Sequence, residues 1–262
     1  MTTSSNGHPA EHYLLLHGGA GPASFAALGA LLGDDASVLT PTHPGFGGTA
    51  RPAELDSVAA LAAHYLRLLE ELDLDDVYIV GNSLGGWIAA EMAIAGSPRI
   101  AGIVLVDAVG AQVPGHPVVD VASLTRDELA AHAWFDRSKM PDPATLPPAV
   151  QAQLPGNMAA LAVYGGTMQD PTLLGRLVAV TVPTLVLWGE ADRIGDVEYG
   201  RAYAAAIPGA RFEVLPGAGH LPQIETPEAL QTHVRDFVAL HGAGRGGAGG
   251  AATTSLVWQP VS

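Results

Sequence analysis

Residues 77–87 read Val-Tyr-Ile-Val-Gly-Asn-Ser-Leu-Gly-Gly-Trp, and this stretch decides the fold. The unbroken apolar run at 77–80 suits a strand buried on both faces. Residues 84–95 return to helical spacing, so Ser83 stands on the turn between strand and helix. So tight a turn crowds the residues two positions either side of the serine, and Gly81 and Gly85 remove the side chains that would collide. The hydroxyl is thereby lifted above the sheet. The following helix aims its first amides at the same spot, which makes the N–H of Leu84 a candidate donor to a developing oxyanion. Gly-x-Ser-x-Gly alone arises by chance in glycine-rich chains, where it marks a structural turn. The strand before it and the helix after it give it weight.

Outward from this turn, short apolar runs alternate with helical patterns. Strands are expected at 13–16, 37–40, 100–106, 184–188 and 211–215, and helices at 25–32, 199–207 and 227–240. The pattern at 58–72 puts Leu61, Tyr65, Leu68 and Leu72 on one face and Arg67, Glu70 and Glu71 mostly away from it. Such alternation predicts an α/β fold with a parallel sheet and helices on both sides. Two segments break it. Residues 110–180 are rich in proline, carry a short helical pattern at 125–134 and hold no strong strand, so they read as an insertion over the carboxyl edge of the sheet. From 241 the chain turns to glycine and alanine, a composition that does not order by itself and reads as a flexible tail over 241–262. The expected organisation is a polar segment at 1–12, a core at 13–109 and 181–240, the insertion at 110–180, and the tail.

Composition narrows the function. The chain has 262 residues, 48% of them hydrophobic, enough for one sizeable core. No cysteine is present, which excludes disulfides, thiolate catalysis and cysteine-ligated metals. Twelve Lys and Arg against 26 Asp and Glu give a net charge of −14, which would repel nucleic acid and an anionic membrane. No signal peptide and no run long enough to span a bilayer are evident, so a cytoplasmic protein is expected. No two histidines stand at i,i+4 around a glutamate, no Gly-Lys-Ser/Thr follows a glycine loop, and the dinucleotide glycine spacing is missing. No metal and no cofactor are expected.

A serine hydroxyl needs a base. Of ten histidines, His220 is best placed, in the loop Pro216-Gly217-Ala218-Gly219-His220-Leu221-Pro222 after the strand at 211–215. His12, His17, His43 and His64 precede the serine, His116 and His132 fall in the insertion, and His233 and His241 go with the last helix. The base needs a carboxylate to fix its tautomer. Asp192, in Gly189-Glu190-Ala191-Asp192-Arg193, follows a strand end and is preferred, with Glu190 and Asp196 as neighbours. Asp107, which ends the strand at 100–106, is the rival, and a loop cap is its plainer role. A second oxyanion donor is expected from Leu16-His17-Gly18-Gly19-Ala20-Gly21, with Gly19 first and Ala20 next. His43-Pro44-Gly45-Phe46-Gly47-Gly48 reads as a structural turn over the site.

With His17-Gly18-Gly19, His43-Pro44-Gly45-Phe46-Gly47, the serine turn, Trp188-Gly189-Glu190-Ala191-Asp192 and Gly217-Ala218-Gly219-His220, the chain resembles the α/β-hydrolase fold superfamily from Tyr13 to Leu240. The resemblance implies a mostly parallel sheet flanked by helices, a helical cap formed by the insertion, and a triad of Ser83, Asp192 and His220. Members of that superfamily usually begin with a hairpin. Here only 12 residues precede Tyr13, so the hairpin is expected to be absent and the sheet to hold about six parallel strands. The Gly-Asn-Ser-Leu-Gly-Gly turn is similar to that of carbon–carbon bond hydrolases acting on ring-fission products, which also use a cap arginine; Arg126, Arg137 and Arg176 are the candidates. Epoxide hydrolases and haloalkane dehalogenases need an aspartate where Ser83 stands.

The expected activity is hydrolysis of a carboxylic ester or related acyl bond in a small to medium apolar substrate. Cleavage of a diketone-type carbon–carbon bond is the alternative, and a non-catalytic receptor or scaffold is the alternative of another class. Trp134, Phe135, Met140, Met158, Tyr164 and Met168 are the insertion's candidates for an apolar pocket, of which Trp134, Met158 and Tyr164 are preferred, and ordinary packing is the competing role for each. The expected partner is a small-molecule substrate, with a homodimer left open.

Overall fold

The computed structural model describes residues 11–242. Strand β1 (His12–Leu16) is followed by a 3₁₀ turn and helix α1 (Ala26–Gly33), then β2 (Ser37–Leu39). Helix α2 (Val58–Glu71) starts at Ser57, whose hydroxyl accepts the Ala60 amide, an N-cap that fixes where the helix begins. Strand β3 (Val77–Asn82), helix α3 (Leu84–Ile94) and β4 (Ile100–Val106) form the centre. The segment that follows holds β5 (Gly110–Ala111), α4 (Arg126–Ala133), α5 (Pro148–Gly165), β6 (Gln169–Asp170) and α6 (Leu173–Arg176). The described residues close with β7 (Thr184–Gly189), α7 (Val197–Ala205), β8 (Arg211–Leu215), the single turn α8 (Pro222–Glu225) and α9 (Pro227–Gly242).

Six strands form one parallel sheet in the order β2-β1-β3-β4-β7-β8. Alternation across the pleat explains why the strands are apolar throughout. Tyr13 and Leu15 of β1 pack in one layer with Phe25, Leu28 and Leu32 near α1 and Phe237 of α9. Leu14 and Leu16 face the opposite layer with Leu61 and Tyr65 of α2 and Ile88 of α3. Among the described residues β2 is the outer strand on its side, and no helix is long and apolar enough to cross a membrane. The expected tail and the first ten residues lie outside the described residues.

Two local differences from the sequence reading matter for the site. Strand β3 runs two residues further than the apolar run, because Gly81 and Asn82 stay in register with Leu105 and Val106. Ladder pairing, not side-chain character, carries the strand up to the serine. Helix α5 was not evident from a segment containing Pro147, Pro148 and Pro155. Pro148 sits in its first turn, where the missing N–H costs nothing, and only Pro155 interrupts the interior. Packing of its second half holds it: Asn157 Oδ1 accepts the Gly47 amide at 2.8 Å and Tyr164 donates to Pro44 C=O at 2.8 Å. The segment's two ends meet as well, since β5 and β6 pair in parallel over two residues each.

Candidate active site

Ser83 has φ 57° and ψ −118°, a strained backbone conformation for a residue with a Cβ. The glycines around it make that turn possible by close approach. A Cβ on Gly81 would strike the carbonyl of Gly85, and one on Gly85 would strike that of Leu16. Strand, turn and helix therefore lock together through backbone alone.

The structure brings Ser83, His220 and Asp192 together from three different loops. His220 Nε2 lies 2.9 Å from Ser83 Oγ, and His220 Nδ1 lies 2.8 Å from Asp192 Oδ2. All three are buried. A carboxylate only accepts, so the bond to Asp192 requires the proton on Nδ1 and leaves Nε2 free to accept from the serine. Asp192 Oδ1 is held by the Ile194 amide at 2.8 Å.

The loop bearing His220 is fastened by groups that the sequence reading did not single out. Asn82, the residue just before the serine, donates through Nδ2 to His220 C=O at 2.9 Å and accepts from Gln223 Nε2 at 3.0 Å. Buried Glu225 accepts the Gly219 amide at 2.7 Å and the Asp136 amide at 2.8 Å, tying the histidine loop to the insertion. The amide of His220 donates to Ala133 C=O, at the end of α4, at 2.7 Å. The serine turn and the insertion thus both fix the main chain of the loop that carries the imidazole.

On the other side of Ser83, a Cβ on Gly18 would come within 2.8 Å of the serine Cβ, so only glycine lets this loop close over the hydroxyl. Gly19 and Ala20 follow on the cavity wall. Leu84 opens α3, where its N–H has no intrahelical carbonyl to meet. Beneath the loop His17 and His43 stack with ring centroids 3.8 Å apart. His17 Nε2 accepts the His43 amide, His17 Nδ1 donates to Gly18 C=O, His43 Nε2 donates to His17 C=O, and the Tyr65 hydroxyl supplies His43 Nδ1 at 2.6 Å. Burial pulls His17 down to about 4 and His43 well below its ordinary range, despite the carbonyls that favour their protons. Both rings are neutral structural groups.

Asp107 lies beside the relay without bonding to His220. Its Oδ1 accepts the Gly189 amide at 2.8 Å. Burial first, and then the neighbouring Asp192 charge, push its carboxyl well above the usual carboxylate range. Asp107, Asp192 and His220 are the one cluster of three metal-capable groups among the described residues, each offering an atom within 4.8 Å of the others. The Asp192–His220 bond already occupies the imidazole nitrogen that such a site would need.

A cavity of about 200 Å³ opens at Ser83 and His220. Trp134, Met158 and Met168 line it, together with Val109, Val118, Val119, Val121, Leu129, Ile194 and Leu221, which the sequence pattern does not single out. Their signal is weak because they come from five separate stretches and are ordinary aliphatics. Tyr164 is not on this wall; its hydroxyl is turned to Pro44. Phe135 is more than half exposed. The insertion's arginines are engaged elsewhere: Arg176 with Glu91 and Asp170, Arg137 with Asp127 C=O, and Arg126 with Pro141 C=O. Except for His220, no titratable group among the described residues lines the cavity.

The alpha/beta hydrolase family profile matches residues 13–231, most of the chain. The chain belongs to the alpha/beta hydrolase family. Among curated relatives, a 2-hydroxy-6-oxononadienedioate/2-hydroxy-6-oxononatrienedioate hydrolase of Cupriavidus pinatubonensis is 27% identical, over 90% of this chain and 89% of its own. A thermophilic esterase from Thermogutta terrifontis superposes with a TM-score of 0.72 at 26% identity, covering 88% of this chain and 91% of that one. A meta-cleavage product hydrolase from Pseudomonas fluorescens has the same fold, with a TM-score of 0.71 at 22% identity over 88% and 91% of the two chains. Membership makes this alpha/beta hydrolase an enzyme of the hydrolase class and leaves open the bond it cleaves.

Proposed function

We propose that this alpha/beta hydrolase is a serine hydrolase cleaving a carboxylic ester, or a related acyl bond, of a small uncharged substrate through an acyl-enzyme. The observation that carries the reading is the relay Ser83–His220–Asp192, with links of 2.9 and 2.8 Å, opening into a cavity whose walls are apolar. In this mechanism His220 Nε2 takes the Ser83 proton as Oγ bonds to the substrate carbonyl carbon. The carbonyl electrons move onto oxygen, where the amides of Leu84 and Gly19 receive the charge. Collapse breaks the bond to the leaving alkoxide, which takes the proton from Nε2. Water then attacks the acyl carbon, gives its proton to His220, and the acid leaves as Ser83 regains its hydrogen. Asp192 holds the tautomer and stabilises the imidazolium throughout.

The carbon–carbon alternative draws support from the relative in Cupriavidus, whose name describes a dioate substrate. A dianion would enter a cavity with no cationic side chain on its wall among the described residues, and a buried charge without a partner is costly. This favours the ester. A receptor or scaffold role would not require the serine, base, acid and loop glycines to stand in working order together.

Release of p-nitrophenol from esters of increasing acyl length, compared with Ser83→Ala, tests the reading. Turnover that vanishes with Ser83 and prefers short acyl chains is the expected result. If Ser83 is labelled by a fluorophosphonate and no ester turns over, the substrate class is wrong and ring-fission dienols are the next substrates. If the label fails too, the enzyme reading of this site falls.

A further inference from the structure

Asp107 ends strand β4, and the relay makes no use of it. Its backbone turns away at φ 47°, so its own carbonyl leaves the sheet. The amide of Asp107 still donates to Leu187 C=O at 3.0 Å, and the next rung is completed by the side chain, whose Oδ1 accepts the Gly189 amide. One carboxyl oxygen thus replaces a main-chain carbonyl in the β4–β7 ladder. The other, Oδ2, is buried and has no hydrogen-bond partner among the described residues. The groups that face this carboxyl are Asp192, within 4.8 Å, His220 in the same cluster, and Glu225 from α8. None is a permanent cation.

We propose that Asp107 is a positioning residue of the relay: it remains a neutral carboxylic acid and turns the proton on Oδ2 toward Asp192, holding that carboxylate in line with His220 Nδ1. An ionised Asp107 would bury a charge against two other carboxylates with a single amide to offset it. A protonated one satisfies its orphan oxygen and gives Asp192 a donor beside the Ile194 amide and the imidazole. The inference rests on the Ser83–His220–Asp192 reading proposed above.

The test uses the whole protein with Asp107→Leu and Asp107→Asn, followed by ester kinetics, fluorophosphonate labelling of Ser83 and infrared spectroscopy. Asp107→Leu, which has no donor, is expected to lower kcat about 10–100-fold while KM moves little, and Asp107→Asn, which is neutral but can donate, to recover most of that loss. At neutral pH the wild type should carry a protonated-carboxyl stretch that Ser83→Ala keeps and Asp107→Asn loses. Absence of that band overturns the proposal even if Asp107→Leu does not fold. So does an asparagine variant as impaired as the leucine one, which would mean that Asp107 works as an anion. Equal, near-wild-type kinetics of both variants would also sink it. Failure of the fluorophosphonate to label wild-type Ser83 would instead remove the relay on which the inference rests, with the infrared band still reporting the state of Asp107.

Discussion

Two buried polar clusters flank Ser83, and both are built around histidine. On one side His220 shares its nitrogens between Asp192 and the serine hydroxyl. On the other, His17 and His43 spend all four nitrogens on backbone groups and the Tyr65 hydroxyl. The difference lies in what each ring leaves over. A histidine serves as a base only where one nitrogen faces the reacting group and a carboxylate stabilises the charge it acquires. His17 and His43 have neither, and they act as a rigid neutral floor beneath the glycine loop. Burial is common to both clusters and does not separate them; partner chemistry does.

The sharpest way to break this contrast is to remove each side in turn. Ser83→Ala and His220→Ala should each lower kcat by roughly 10⁵–10⁶, and the double variant should be no worse, because the two act as a unit. Additive losses in ester assays would dismantle the relay. Asp192→Asn should cost about 10⁴ in kcat by offering the wrong tautomer partner. If it keeps full activity while Asp107→Asn abolishes it, the two aspartates have exchanged roles.

The opposite cluster should announce itself in stability. With its folded value near 4, His17 stays neutral where an unfolded histidine, near 6.5, takes up a proton. The unfolded state therefore binds more protons in that window, and stability should fall as pH drops from about 6.5 to 4, by up to about 3 kcal/mol from this ring. Urea unfolding at a series of pH values measures it, and a flat profile would contradict a neutral buried ring. Smaller still, Tyr65→Phe strands His43 Nδ1 and should destabilise by about 1–3 kcal/mol while Ser83 remains open to fluorophosphonate. Loss of labelling in a folded Tyr65→Phe protein would give the floor a chemical role.

How much of this was legible follows from the distance over which each feature is encoded. The serine turn is local: strand, two glycines, serine and helix follow one another without a break from Val77 to Ile94, so the text alone carries it. His220 and Asp192 could be singled out because each follows a strand end, and residues there gather at one edge of a parallel sheet. The fastenings were hidden. Asn82 looks like filler in the serine turn until Gln223 and the His220 carbonyl, far along the chain, arrive beside it. Glu225 reads as the first-turn acid of a short helix and proves to hold two loops. Asp107 stands out by its position at a strand end, yet its place in the β4–β7 ladder depends on a backbone turn that no residue pattern announces.

Strands β4 and β7 are direct neighbours in the sheet, although the whole insertion lies between them in the chain. Its ends are drawn together by the β5–β6 pair, and Arg176 clamps its exit to Glu91 of α3. The sheet therefore has a socket into which a different roof could be fitted, and substrate range could change by exchange of this stretch without rebuilding the frame. One requirement travels with every replacement. The carbonyl of Ala133 that receives the His220 amide belongs to the roof, so a replacement that does not place a carbonyl there would bring a new pocket and a loosened His220 loop.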